Sequence, residues 1–153
     1  MNDHSINFLR DSLNHHYSIR GSLDQKSSFL VAISAIIFSA SISRIHEIPF
    51  LVLGITSFIA VLLSIMVTFL PLTGRKKKWH GLMCWWGFKE KDFNQYEQEL
   101  KKAFLSDEDM AKEYMTEIWN LANYSLKPKT KILKIASLIL SSGLIIGFIL
   151  FLV

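Results

Sequence analysis

Residues 48–74 read IPFLVLGITSFIAVLLSIMVTFLPLTG, 27 positions without one Asp, Glu, Lys or Arg. A helix needs roughly 20 apolar residues to cross a bilayer core of about 30 Å. In lipid every backbone N–H and C=O must be paired within the chain, so an uncharged run of this length reads as a spanning helix. Working outward, Ser27 to Ser43 is uncharged over 17 residues and Ile135 to Val153 over 19. The sequence therefore predicts an all-α integral membrane protein with three spans.

The rest of the composition agrees. Half of the 153 residues are apolar, and they run in blocks rather than at the period of a soluble core. The single Cys84 excludes an internal disulfide and cannot build a zinc site alone. The first 26 residues lack the basic-then-apolar order of a cleavable signal, so the first span is expected to direct insertion. The expected organisation is an N-terminal cytoplasmic helix (1–26), a hairpin of spans one and two (27–73), a cytoplasmic helical segment (74–131) and a third span (132–153).

Lys and Arg counts predict the orientation. Residues 74–134 carry thirteen, against one, Arg44, in the turn between spans one and two. Segment 74–134 and the N-terminus are expected in the cytoplasm and the C-terminus outside. Binding is then expected on the inner face.

On that face, Ile6, Leu9, Leu13 and Tyr17 recur at helical spacing, which predicts a short amphipathic helix ending before Gly21. It could pack on the inner segment, lie at the lipid interface, or act as a gate. His4, His15 and His16 have no carboxylate or Cys at ligand spacing and read as solvated rather than metal-binding. Asp92 begins one predicted helix with apolar stripe Phe93, Tyr96, Leu100 and Phe104. Ser106-Asp107-Glu108-Asp109 begins another, with stripe Met110, Tyr114, Ile118 and Leu121. The two should form a hairpin, and Pro128 should end or bend the second helix before span three.

Two motifs could carry function. Arg75-Lys76-Lys77-Lys78 is followed by Trp79, Trp85 and Trp86. This is either an aromatic belt beside a positive-inside cluster or an anion site in which cations hold phosphates and indoles stack bases. Arg20 and Lys26, on the same side, are the next candidates. Within the membrane, Ser27, Ser34 and Ser41 recur every seven residues on one face of span one. Small residues at such spacing let helices approach closely, or the hydroxyls could line a pore on the axis of an oligomer. Gly143 and Gly147 predict helix contacts of span three. No charge lies inside the spans, which argues against proton-coupled transport or voltage sensing. No catalytic constellation is present, so an enzyme is not expected.

Leu23-Asp24-Gln25-Lys26-Ser27-Ser28-Phe29-Leu30 opens span one. This Asp-x-Lys-small-small-x-Leu opening resembles that of the transmembrane effectors of bacterial Pycsar anti-phage systems. Leu70-Pro71, Trp86-Gly87-Phe88, Tyr96, Leu121-Ala122, a Lys cluster and a Gly-containing last span follow in the family's order, over residues 20–153. The resemblance implies abortive antiviral defence: a neighbouring nucleotide cyclase or nucleotidyltransferase makes a signal on infection, and the effector impairs the inner membrane. The regulatory ligand would be a cyclic nucleotide or a short oligonucleotide, with no other cofactor. The expectation is therefore a homo-oligomeric ion channel, a tetramer as the best guess, lined by Ser27, Ser34 and Ser41. Its rivals are a membrane adaptor recruiting a soluble partner through the 92–124 hairpin and an unregulated pore-forming toxin.

Overall fold

The computed structural model describes residues 3–69, 92–103 and 106–152, and these contain helices and turns but no strand. The helices are α1 (Asp3–Ile42), α2 (Ile48–Phe69), α3 (Phe93–Ala103), α4 (Asp107–Asn120), a π-helical segment (Leu121–Leu126) and α5 (Lys127–Leu152). Three helical stretches are long and apolar enough to cross a membrane: Ser5–Ile42, Ile48–Phe69 and Asp107–Leu152. This is the all-α, three-span membrane protein expected from the uncharged runs.

The chain divides into two compact units. One comprises Met1–Arg20 and Pro71–Lys127, the other Gly21–Leu70 and Pro128–Val153.

In the second unit, large apolar side chains point outward and small or polar ones inward. Phe29, Ile36, Ile55, Phe58, Leu138, Ile145 and Phe148 are exposed. Buried are Leu23, Ser27, Ser34 and Ser41 of α1, and Gly54, Ser57, Ala60, Ser64 and Val67 of α2. Lys129, Leu133, Ala136, Leu140, Gly143 and Gly147 form the buried face of α5. Lipid is as apolar as Leu, so only close packing and polar contacts reward helix association there, and small residues belong at the seams. On α5 the buried positions alternate in steps of four and three, the period of a helix seam. Many hydroxyls bond to their own helix, which satisfies them in lipid: Ser41 Oγ donates to Ile37 O (2.8 Å), Ser57 Oγ to Leu53 O (2.6 Å) and Ser142 Oγ to Ile139 O (2.9 Å).

Between α1 and α2 the chain reverses through a tight turn, in which Glu47 N–H donates to Arg44 O at 3.0 Å and Leu51 N–H to Glu47 O at 3.0 Å. Pro49 sits in the first turn of α2, where its missing N–H costs no intrahelical bond.

In the first unit, α3 touches α4. Ser106 caps α4 as its sequence predicts: its φ/ψ of −140°/143° is extended, and its Oγ accepts from Asp109 N–H at 3.1 Å. Asp92 Oδ1 accepts from Phe93 N–H at 2.8 Å at the start of α3.

Neither Gly21 nor Pro128 ends a helix. The amphipathic segment at residues 5–20 continues through Gly21 into span one as the single 40-residue helix α1. A glycine inside a helix costs only about 1 kcal/mol relative to Ala. Here nothing stands within 4 Å of where its Cβ would be, and Leu23 continues the buried face. Pro128 does not end the helix that precedes it either. The ring of Pro128 crowds the carbonyl four residues back, and it has no N–H to donate. The chain meets this by widening to π geometry just before it, with Lys127 N–H donating to Ala122 O five residues earlier.

Candidate functional site

The buried face of α5 begins with a charge. Lys129 is completely buried, the largest fully buried side chain among the described residues, and its Nζ pairs with Asp24 Oδ1 of α1. Asp24 is less enclosed, with 36% of its side chain exposed. An ammonium held in this way is stable only because it is paired, since an isolated buried charge is severely penalised. The pair therefore ties α1 to α5 at the end of the spans where lysines gather. Asp24 opens the sequence motif Asp24-x-Lys26-Ser27-Ser28, so the most distinctive residue of that motif has a defined structural partner 105 positions away.

Below this pair, α1 and α2 meet along a hydroxyl-rich seam. Ser27 Oγ donates to Ser64 O at 2.6 Å. Gly54 lies against Ser41, with 3.6 Å between an added Cβ and Ser41 Cβ. Phe38 and Phe58 stack at a tilt with centroids 5.4 Å apart. The hydroxyls of Ser34 and Ser64 are buried in this unit without a hydrogen-bond partner, a costly arrangement in an apolar interior.

Ser27, Ser34 and Ser41 do share one face of α1, and that face is packed inside the protomer: each is at most 2% exposed. In this conformation they do not stand on an outer surface where a ring axis could pass. Gly143 and Gly147 lie against α2. A Cβ on Gly147 would come within 2.8 Å of Leu53 Cγ, and one on Gly143 would overlap Thr56.

The sequence-based nucleotide site falls largely elsewhere: Arg75, Lys76, Lys77, Lys78, Trp79, Trp85 and Trp86 lie outside the described residues. Of the two remaining candidates, Arg20 is half-buried and Lys26 is exposed.

The first unit contains a polar cluster that sequence reasoning missed. Glu117 and Asn120 are each 2% exposed on α4, and Ser125 is fully buried one turn on. Tyr17 Oη donates to Glu117 Oε1 at 3.0 Å, joining the N-terminal part of α1 to α4. The stripe Met110, Tyr114 and Ile118 is only half-buried, because the packed face of α4 is rotated toward Ala111, Glu117 and Asn120. Counting back from the glycines at steps of three and four (147, 143, 140, 136, 133, 129, 125, 121, 117) would have reached Ser125 and Glu117, and passes beside Asn120.

Comparison with known families gives a match to a model described as the Pycsar effector protein domain, over residues 8–153. No match was found among curated proteins or among solved structures.

Proposed function

The chain belongs to the Pycsar effector family and is a transmembrane effector of anti-phage defence, and from this premise we propose that it acts as a nucleotide-controlled, homo-oligomeric ion channel that dissipates the membrane potential of infected cells. The family's place beside an enzyme-made nucleotide signal supports ligand control, and its members are not a known enzyme class. Three helices cannot enclose a pore, so conduction requires several copies, and head-to-tail contacts that close give rings. The proposed ring is a tetramer. Thirteen of the seventeen Lys and Arg residues lie in 74–134, which favours that segment in the cytoplasm, the N-terminus with it and the C-terminus outside.

The observation that carries the conduction reading is the hydroxyl-rich seam inside a membrane-spanning unit, with Ser34 and Ser64 buried unpartnered. Apolar side chains would pack there at lower cost. Local rules of polar satisfaction are most often broken at functional sites, and a second state in which water reaches this face would satisfy both hydroxyls. The conformation described is then the closed one. Opening separates α1 from α2 and α5, breaks the Asp24–Lys129 pair and turns Ser27, Ser34 and Ser41 toward the ion path. Arg75 to Lys78 hold the nucleotide phosphates and Trp79, Trp85 and Trp86 its base, with Arg20 as an additional cation.

The test is conductance of the reconstituted full-length protein against a panel of cyclic nucleotides and short oligonucleotides. One of them should raise ion flux. Changing Arg75, Lys76, Lys77 and Lys78 together to Gln should abolish that response while insertion persists, because phosphate contacts made by point charges dominate such binding. An unchanged response at low and high salt would move the ligand away from this segment.

An adaptor is the second reading, favoured by one feature. Met115 and Trp119, one turn apart on α4, are both more than half exposed. Binding of a soluble protein to that face, lost in a Trp119→Ala variant whose conductance is normal, would support recruitment.

A further inference from the structure

Between α1 and α5 runs an open groove of about 580 Å³. Its walls are Lys26, Phe29, Leu30 and Ile33 of α1 and Leu133 and Ser137 of α5, with Gln25 beside Lys26 at one end. The groove exists because Ser137 is small and Leu133 turns into the core, leaving a channel along the α1 stripe at steps of three and four. Polarity is graded along it. The two polar α1 side chains stand at the end where lysines gather, and everything beyond them on α1 is hydrocarbon. Lys26 is exposed and makes no ion pair or hydrogen bond among the described residues.

We propose that this groove is a binding site for an anionic phospholipid, whose acyl chain lies along Phe29, Leu30, Ile33 and Leu133 and whose phosphate pairs with Lys26. Its position in a membrane-spanning unit leaves two kinds of occupant, lipid or another span. Charge decides between them. The uncharged runs 27–43, 48–74 and 135–153 contain no carboxylate. Asp24, the acid nearest in sequence, is already held by Lys129. A span of a second copy could fill the apolar part and would leave Lys26 without an anion, whereas a phospholipid supplies hydrocarbon and phosphate in the order the groove presents them. A nucleotide fits less well, because beyond Gln25 and Lys26 the walls offer one hydroxyl and no donors to read a base. Basic pockets between spans on the cytoplasmic side are a recurrent form of acidic-lipid site.

The experiment uses the full-length protein in nanodiscs of phosphatidylcholine doped with phosphatidylglycerol, released and weighed by native mass spectrometry. Phosphatidylglycerol should be retained in preference to phosphatidylcholine. Lys26→Gln should lower that preference about fivefold, the worth of one cation near an acidic surface, and Lys26→Arg should keep it. Ile33→Trp, which fills the groove, should shed both lipids while oligomer size is unchanged. Equal retention of the two lipids by the unmodified protein, or a full preference in Lys26→Gln, overturns the proposal. Loss of the oligomer in Ile33→Trp also overturns it, since the occupant would then be a second copy.

Discussion

Removing the charge of Asp24 should harm this protein far more than removing that of Lys129, although the two form one pair. The reason lies in their unequal burial, 0% for the Lys129 side chain against 36% for Asp24. Asp24→Asn leaves an ammonium sealed in the α1–α5 seam with no anion. Stranding one partner of a buried pair costs about 3–5 kcal/mol, and the partial access of water beside Asp24 places this case near or below the lower end, about 2–3 kcal/mol. Lys129→Met keeps the stem volume and leaves a carboxylate that water already reaches, so its cost should be about 1 kcal/mol or less. The double variant Asp24→Asn/Lys129→Met should resemble Lys129→Met alone, because the stranded charge is gone. The coupling between the two sites is then about 2 kcal/mol in a double-mutant cycle. Thermal unfolding in a mild detergent would read this as a fall in Tm of about 4–12 °C for Asp24→Asn, at roughly 2–4 °C per kcal/mol for a chain of this size. Equal losses in the two single variants, or a double variant that loses their sum, would refute the reasoning.

Gly147→Leu should cost about 1–3 kcal/mol by overpacking, since its first side-chain atom already comes within 2.8 Å of Leu53; Gly147→Leu/Leu53→Ala should recover part of that loss in the same unfolding assay. A cysteine placed at Asp107 should resist a membrane-impermeant reagent applied to intact cells and react after permeabilisation, and labelling from outside would reverse the orientation. Ser106→Ala should lower the stability of the unit containing α4 by about 1 kcal/mol through loss of the bond from Asp109 N–H, measured as faster amide exchange over its first turn.

The spans were legible because bilayer thickness acts on composition alone, and runs of 17 to 27 uncharged residues have few other uses. Ser106 was legible because capping is local: an extended residue, a hydroxyl and acids in the first turn suffice. The joints were less so. Gly21 and Pro128 are both helix-breaking residue types, and in both places neighbours on each side already belong to a packed stripe, so continuation cost less than a break. Charge counting treats every lysine as solvated, so it places Lys129 only among the positive charges of 74–134. Its seam register, four residues before Leu133 and seven before Ala136, marks it as buried. For Ser27, Ser34 and Ser41 the spacing gave the face correctly and said nothing about what that face meets. A seven-residue serine repeat is the same pattern on a pore wall and in a helix seam. Only the positions of Ser64 and Gly54 on α2 distinguish the two in this conformation.

The most direct measurement is ion flux through proteoliposomes carrying the full-length protein, recorded with and without each nucleotide of the panel, for the unmodified chain and for Ser34→Ala. Ser34 is buried and unpartnered in the closed seam, so removing its hydroxyl without adding bulk should leave the closed form intact, and should dry the open path. Nucleotide-dependent flux is expected in the unmodified protein and its reduction in Ser34→Ala, with oligomer size and nucleotide binding unchanged. Absence of flux with every nucleotide tried, together with an undisturbed membrane potential in infected cells that express the protein, would contradict the channel and leave the adaptor.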